Sequence, residues 1–162
     1  MIETKKRPDG VTLKITSDAA FVSPLGEALH ALCLNATNSE SAALDVQRAV
    51  VEALNNVILH AYNNEAGHDI IVEWHREDGV LTFKIIDWGL SMSSLPTPAL
   101  PAFDAESGRG WWIISSCVDD YHYKVVECIE REKTYKPNGK SEYFEDMVVK
   151  SHRNVLTLIK KF

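Results

Sequence analysis

Apolar positions along the chain repeat with two different spacings. The stretch "VTLKIT" near the N-terminus alternates apolar and polar residues, as a half-buried strand does. From about Pro24 to Asn35, and again from about Ala42 to Tyr62, apolar residues recur every three or four positions, which predicts two helices. A serine in the polar interval between them could cap the second helix. The stripe that this helix is predicted to bury consists of Val46, Val50, Leu54, Val57 and Ala61.

The rest of the chain predicts a hairpin, a long loop, a third helix and further strands. Residues 69–75 and 80–87 have strand patterns and flank the turn "REDG". A proline-rich stretch of about twenty residues follows, longer than most connections in a compact domain, and a helix begins near Gly110. Further strands are predicted at 121–129, 141–149 and 154–162. This order predicts an α/β fold of the α+β two-layer sandwich type, with helices on one face of the sheet.

Composition narrows the class of protein. A chain of 162 residues with 45% hydrophobic and 25% charged residues is expected to form one soluble domain, residues 1–162. The net charge of −6 argues against nucleic acid as a partner, although a bound nucleotide needs only a local pocket. No apolar run is long enough to span a membrane, and no secretory signal opens the chain, so the expected location is cytoplasmic. The scattered cysteines Cys33, Cys117 and Cys128 are expected to be reduced thiols.

The second helix carries polar residues that its core packing does not require. At about 100° per residue, Glu52, Asn56 and His60 fall within roughly 80° of one another and away from the apolar stripe. An amide oxygen such as that of Asn56 suits Mg²⁺, and a carboxylate one turn earlier could act as a general base. The competing interpretation is a face that is only solvated.

Two other short elements carry candidate chemistry. In "IIDWG", Asp87 ends a predicted strand and could accept a hydrogen bond from an adenine amino group, while Gly89 would let a base approach the backbone. In "SGRG", Gly108 and Gly110 flank Arg109 at the start of a helix, where backbone amides favour phosphate. Each element by itself is equally compatible with an ordinary turn.

Together, the order and spacing of the three elements resemble one superfamily. "EALNNVILHAY" resembles the N box, "DWG" the first glycine box and "SGRGWWII" the second glycine box of the GHKL (Bergerat-fold) ATPases. The length, the N-box pattern and the ending "NVLTLIKKF" resemble the anti-sigma factor serine/threonine protein kinases of bacterial partner-switching systems, over about residues 10–162. The resemblance implies a Bergerat-type ATP-binding fold with a mixed, mostly antiparallel sheet.

The resemblance also implies a function, with ATP and Mg²⁺ as cofactors. It implies an ATP-dependent kinase that phosphorylates a STAS-type anti-sigma factor antagonist and could also bind a sigma factor or another regulator. A homodimer is a further expectation. Glu52 would be the base that activates a serine or threonine of the partner, and Asn56 would hold Mg²⁺. The nucleotide-binding residues would be Asn56, Asp87, Gly89, Gly108, Arg109 and Gly110, while His60 and Tyr62 are expected to be structural.

The chain departs from the family pattern at several places. Ser91 stands where the first glycine box usually has its second glycine, which would cost stability or affinity if the position needs a positive φ or close contact with the nucleotide. The predicted lid over the nucleotide contains Pro96, Pro98 and Pro101. An insertion at about 128–150 is expected to form an extended hairpin.

Three alternatives to the kinase stay open at this point. The first is a non-catalytic or weakly nucleotide-binding regulatory module that sequesters a partner protein, which Ser91 would favour. The second is the catalytic part of a histidine kinase, which the lack of a preceding phosphoacceptor helix pair in this sequence disfavours. The third is an ATPase that transfers the phosphoryl group to water, since a glutamate base can activate either nucleophile.

Overall fold

The computed structural model describes residues 9–98, 109–131, 134–135, 141–142 and 147–162. Within them lie three helices, α1 (Val22–Thr37), α2 (Glu40–Asn56) and α3 (Arg109–Cys117). The strands are β1 (Asp9–Thr16), β2 (Asp69–Glu77), β3 (Val80–Asp87), β4 (Asp120–Arg131), β5 (Thr134–Tyr135), β6 (Ser141–Glu142) and β7 (Met147–Lys161). A short 3-10 turn at Ala19–Phe21 leads into α1.

Five strands form one sheet in the order β1-β2-β3-β7-β4, and each neighbouring pair is antiparallel. The sheet and the helices form two layers that share one apolar core, which confirms the predicted α+β fold. The largest fully buried apolar side chains belong to both layers and include Leu29, Leu54, Phe83, Ile114 and Leu158.

The last strand is longer than the sequence predicted. Separate strands were expected at 141–149 and 154–162, but β7 runs without a break from Met147 to Lys161. The polar interval between the two predicted strands contains no glycine or proline. This interval stays within β7, and the pairing of β7 with the neighbouring strand β4 shifts its register between Cys128 and Ile129. The predicted single break is therefore wrong, and a β-bulge takes its place.

The ladder of β4 and β7 continues to the pair Arg131 and Met147, and β5 pairs separately with β6. The predicted insertion at 128–150 lies only partly within the described residues, so its extent stays a prediction.

The local signals at α2 have the predicted consequences. Asn38 adopts a left-handed conformation, with φ 53°, and ends α1, while the hydroxyl of Ser39 accepts a hydrogen bond from the Ala42 amide and caps α2. Val46, Val50, Leu54 and Val57 are buried, and Ala61 is half-buried. The apolar stripe thus determines which face of α2 carries Glu52, Asn56 and His60, here called the polar column.

The turn between β2 and β3 places the end of β3. Asp78 and Gly79 both have positive φ, 47° and 75°, which is the pair of conformations that a tight two-residue hairpin requires. The resulting register continues along β3 to Asp87, which pairs with Ile70 on one side and Asn154 on the other. In the described part of the chain, no helix is long and apolar enough to cross a membrane.

Candidate nucleotide site

The polar column of α2 meets the start of α3. A Cβ placed on Gly110 would lie 3.1 Å from Glu52 Oε2, 3.4 Å from Asn56 Nδ2 and 3.5 Å from Asn56 Oδ1. Gly110 is in the first turn of α3, so the helix N-terminus rests directly against the carboxylate and the carboxamide. The structure therefore brings together two of the three elements that the sequence singled out.

The amide of Asn56 is incompletely satisfied. Its Nδ2 is buried and has no hydrogen-bond partner among the described residues. A buried polar atom without a partner is uncommon and costly, because it has lost water without a replacement. The amide of Asn56 therefore has one unfilled position, on the face of α2 that it shares with Glu52.

Asp87, by contrast, is fully engaged on one oxygen. Its side chain is 5% exposed. Oδ1 accepts hydrogen bonds from the Gly89 amide, at 2.9 Å, and from Asn154 Nδ2, at 2.8 Å. Burial raises the pKa of Asp87, and the two donors and the nearby His152 oppose that shift in pKa. The carboxyl group is thus held in place at the end of β3 by the loop and by β7.

Asn154 is a site residue that the sequence analysis missed. It is buried in β7, directly opposite Asp87 in the ladder. Besides Asp87, its Nδ2 reaches the carbonyl of Gly89 at 3.0 Å, and its Oδ1 accepts a hydrogen bond from Ser91 Oγ at 2.6 Å. His152, two residues earlier on β7, contacts the same Gly89 carbonyl through Nε2 at 2.6 Å. A polar residue at the start of the strand predicted at 154–162, directly before Val155 and Leu156, was the available signal.

Ser91 does not strain the backbone. The described residues with positive φ other than glycine are Asn38, Asn63, Asn64 and Asp78. Ser91 therefore has an ordinary backbone conformation, and its hydroxyl forms the hydrogen bond to Asn154. The cost considered for a serine that has a positive φ does not arise.

Gly89 is required by a neighbouring backbone. A Cβ on Gly89 would collide with the carbonyl of Ala61 and would also lie 2.9 Å from the Cβ of Ala61. The next amide, that of Leu90, donates to the same Ala61 carbonyl at 2.9 Å. The glycine thus lets the loop after β3 dock on the end of the second helix, a reason different from the approach of a base.

That docking depends on a wide helical turn. The α-helical part of α2 ends at Asn56, and Val57–Ala61 continue as one π turn, with the Tyr62 amide bonded to the Val57 carbonyl at 3.0 Å. The sequence predicted a helix that continues to Tyr62, and the helical path does continue, but with a wider last turn. Such turns are frequent at functional sites because they redirect backbone groups.

Tyr62 has the structural role expected of it. Its hydroxyl donates to the Asp69 carbonyl at 2.6 Å and accepts from the Trp88 amide at 2.9 Å. Its ring stacks on His68 with centroids 4.6 Å apart. Burial raises the pKa of Tyr62, so it remains a donor at neutral pH. The side chain of His60 is exposed.

The remaining predicted residues lie at the start of α3. Arg109 is its first residue and is exposed, whereas Gly108 lies outside the described residues. The phosphate-binding role of Gly108, Arg109 and Gly110 therefore stays a prediction.

The described residues contain no cluster of three His, Cys, Asp or Glu side chains suited to a metal ion. Cys33 and Cys117 are buried free thiols, and burial raises the pKa of Cys33 to about 11. Both thiols are therefore unreactive at neutral pH. Any cation at the polar column would depend on Asn56 and on oxygens brought by a ligand.

Comparison with known proteins identifies the class. The sequence profile of the histidine kinase-like ATPase domain matches residues 15–130 of this chain. The chain therefore belongs to the histidine kinase-like ATPase domain family, which confirms the predicted superfamily.

Individual relatives narrow the comparison. A curated protein of Listeria innocua, the serine-protein kinase RsbW, is 29% identical over 150 residues, which cover 82% of this chain and 95% of the relative. An anti-sigma F factor of Clostridium botulinum is 31% identical over 104 residues, which cover 61% of this chain and 70% of that protein. An anti-sigma F factor of a Geobacillus species is 27% identical over 107 residues, covering 63% of this chain and 66% of that protein. These similarities agree with the expected enzyme class, an ATP-dependent protein kinase.

Proposed function

We propose that this protein is an ATP-dependent serine/threonine protein kinase and anti-sigma factor of a partner-switching system. Its proposed substrate is a serine or threonine of a STAS-type antagonist protein. A sigma factor or another regulator is proposed as the second partner, in the cytoplasm, and the active form is proposed to be a homodimer. The family membership and the similarity to a serine-protein kinase support this proposal.

One observation carries the proposal: the first turn of α3 rests on Glu52 and Asn56, and the amide of Asn56 has a buried, unpartnered atom. A face that is only solvated would not be covered by a helix N-terminus. A helix N-terminus offers amides and partial positive charge to phosphate. A carboxylate and a carboxamide at the same place supply a base and a ligand for a cation.

The donor set of this face fits Mg²⁺. This ion prefers oxygen ligands, takes few from the protein and shares the rest with phosphates and water. Asn56 would supply the amide oxygen, and the lack of a carboxylate cluster among the described residues agrees with an ion held mainly by the nucleotide. When bound, Mg²⁺ would neutralise charge on the phosphates.

The other groups have distinct proposed roles. Glu52 would take the proton from the attacking hydroxyl of the partner protein. Apart from that base, phosphoryl transfer requires mainly positioning and charge neutralisation. Asp87 would accept a hydrogen bond from the amino group of adenine, with Gly89 beside the base. Gly108, Arg109 and Gly110 would contact the phosphates.

The test is phosphoryl transfer from labelled ATP to a STAS-type antagonist, compared between wild type and Glu52→Gln. We expect the variant to bind ATP as wild type does and to transfer at least about 100-fold more slowly, since a general base contributes roughly that much. Glu27→Gln is the matched control, because Glu27 is an exposed helical glutamate on α1. Equal transfer by wild type and Glu52→Gln would remove Glu52 as the base.

Two further measurements, of phosphate release and of melting temperature, distinguish the kinase from the alternatives. An ATPase would release inorganic phosphate at the same rate with and without the antagonist. A regulatory module with a weakened nucleotide site would show no change in melting temperature at millimolar ATP. Ser91 was the reason for considering that module, and its ordinary backbone conformation removes backbone strain, but not close contact with the nucleotide, from that reason.

A further inference from the structure

Asn154 has only one possible amide orientation. Its Nδ2 lies 2.8 Å from Asp87 Oδ1, 3.0 Å from the Gly89 carbonyl and 3.5 Å from the Leu90 carbonyl, and all three are acceptors. Its Oδ1 accepts from the hydroxyl of Ser91 at 2.6 Å. A flipped amide would place its oxygen against three acceptors and lose their hydrogen bonds. The NH₂ group is therefore fixed toward Asp87.

This orientation makes the two oxygens of Asp87 different. Oδ1 receives two N–H donors, from Asn154 and Gly89, and an oxygen that accepts two such bonds carries no proton. Both donors also favour the ionised carboxyl group, against the effect of burial on the pKa of Asp87. In that ionised form Oδ2, the other oxygen, is an acceptor for whatever it faces, whereas in the protonated form Oδ2 would carry the proton.

We propose that Asn154 determines which purine the site admits, because it fixes Asp87 as a hydrogen-bond acceptor toward position 6 of the base. The inference rests on the proposed function, in which Asp87 contacts the base of a nucleotide. An amino group at position 6, as in adenine, donates to Oδ2. An oxo group at that position, as in hypoxanthine or guanine, is itself an acceptor. It would face the carboxylate oxygen, also an acceptor, with no proton between the two. Asn154 is thus a positioning residue that acts through Asp87.

The test compares binding of ATP and of inosine triphosphate, measured by calorimetry with Mg²⁺ present. Inosine triphosphate replaces the 6-amino group by an oxo group and leaves the sugar and phosphates unchanged. Wild type is expected to prefer ATP by roughly 10- to 100-fold, the usual weight of a hydrogen bond to a charged group.

Two variants should change this preference in different ways. Asn154→Asp places a second carboxyl group beside Asp87, and the like charge favours the protonated form of Asp87, whose proton on Oδ2 can be donated to an oxo group, so the preference should fall to about 3-fold or less. In Asp87→Asn, the new amide keeps its oxygen toward the two donors and turns its NH₂ group toward the base. This variant should therefore prefer inosine triphosphate.

Thr157→Val is the matched control, because Thr157 is also a buried polar residue of β7 and pairs with Lys84 rather than with Asp87. It should keep the wild-type preference. A role of Asn154 in supporting the loop alone would weaken both nucleotides equally in Asn154→Asp, and an unchanged ratio would overturn the inference. If Asn154→Asp does not fold, Asp87→Asn decides, and a retained preference for ATP in that variant would overturn it.

The outcome for wild type separates this inference from the proposed function. Wild type that binds neither nucleotide would overturn both. Wild type that binds the two nucleotides equally would overturn the inference and leave the kinase proposal standing.

Discussion

The two halves of the candidate site differ in how complete they are. Around Asp87, the loop amide and β7 supply donors to Oδ1, and the hydroxyl of Ser91 completes the amide of Asn154. Around Glu52, a buried amide atom of Asn56 has no partner among the described residues. One half is already assembled by the protein alone, whereas the other leaves a position that a ligand would fill.

Alanine variants of two glycines should show the largest difference in stability between the two halves of the site. Gly89→Ala should destabilise the protein by about 3 kcal/mol, as overpacking in a tight core does, because its Cβ meets the rigid backbone of Ala61. Gly110→Ala should change stability by less than about 0.5 kcal/mol, because its Cβ meets the movable end of Glu52. Urea unfolding of both variants measures the difference. Equal destabilisation would mean that the two halves are equally rigid.

Two asparagines test the same contrast with isosteric changes. Asn154→Leu should cost about 2 kcal/mol, because it removes the partner of the Ser91 hydroxyl and one of the two donors to the buried carboxyl group of Asp87. Asn56→Leu should be neutral or stabilising, because it removes a buried atom that has no partner.

Thermal unfolding measures both asparagine variants, and ATP titration with and without Mg²⁺ should show that Asn56→Leu loses the Mg²⁺-dependent part of binding. A strongly destabilised Asn56→Leu would show that the amide is satisfied in solution and would weaken the contrast.

Ser91→Gly should have a smaller effect. The change restores the glycine that is usual in the family, removes the hydrogen bond to Asn154 and adds freedom to the unfolded chain. We expect a loss of about 1 kcal/mol of stability, with ATP affinity within about 3-fold of wild type. Ser93→Gly in the same loop, where Ser93 is exposed, is the control for the entropy term. An ATP affinity that improves strongly in Ser91→Gly would show that the serine does weaken the site.

The smallest effect concerns pH. Burial raises the pKa of Asp87 above its usual value of 3.8, so the folded protein holds this proton more tightly than the unfolded chain. The stability of wild type relative to Asp87→Asn should therefore rise as the pH falls from neutral through the raised pKa, and the gain should be complete below 3.8. The affinity of wild type for ATP should fall over the same range, because the protonated carboxyl group is no longer only an acceptor. Urea unfolding and ATP titration at several pH values would reveal a wrong sign in either quantity.

The sequence predicted those features that depend on near neighbours. Glu52 and Asn56 are one helical turn apart, Ser39 precedes a helix, and Asp78 with Gly79 specifies a hairpin. Each of these features can be predicted from a few neighbouring residues. Asn154 was missed because its meaning depends on pairing with Asp87, which is 67 positions away. The register that joins β3 to β7 depends on the whole sheet, and no local pattern contains it.

Gly89 shows a second kind of limit. The sequence assigned this glycine to the close approach of a base, which stays a prediction, and it gave no signal of the contact with Ala61. The structure gives the carbonyl of Ala61 as the obstacle to a side chain at this position, and Ala61 ends the wide last turn of the helix. The spacing of apolar residues predicts a helix with a uniform repeat, so it does not reveal a single wider turn.

The wide turn at Val57–Ala61 also has an evolutionary consequence. It joins the second helix to the loop after β3 by a main-chain bond, from the Leu90 amide to the Ala61 carbonyl. Exchange of side chains at either position leaves that bond intact, and only an imino acid at position 90 would delete its donor. Side chains at positions 61 and 90 can therefore vary in evolution without loss of this bond, as long as position 89 stays glycine.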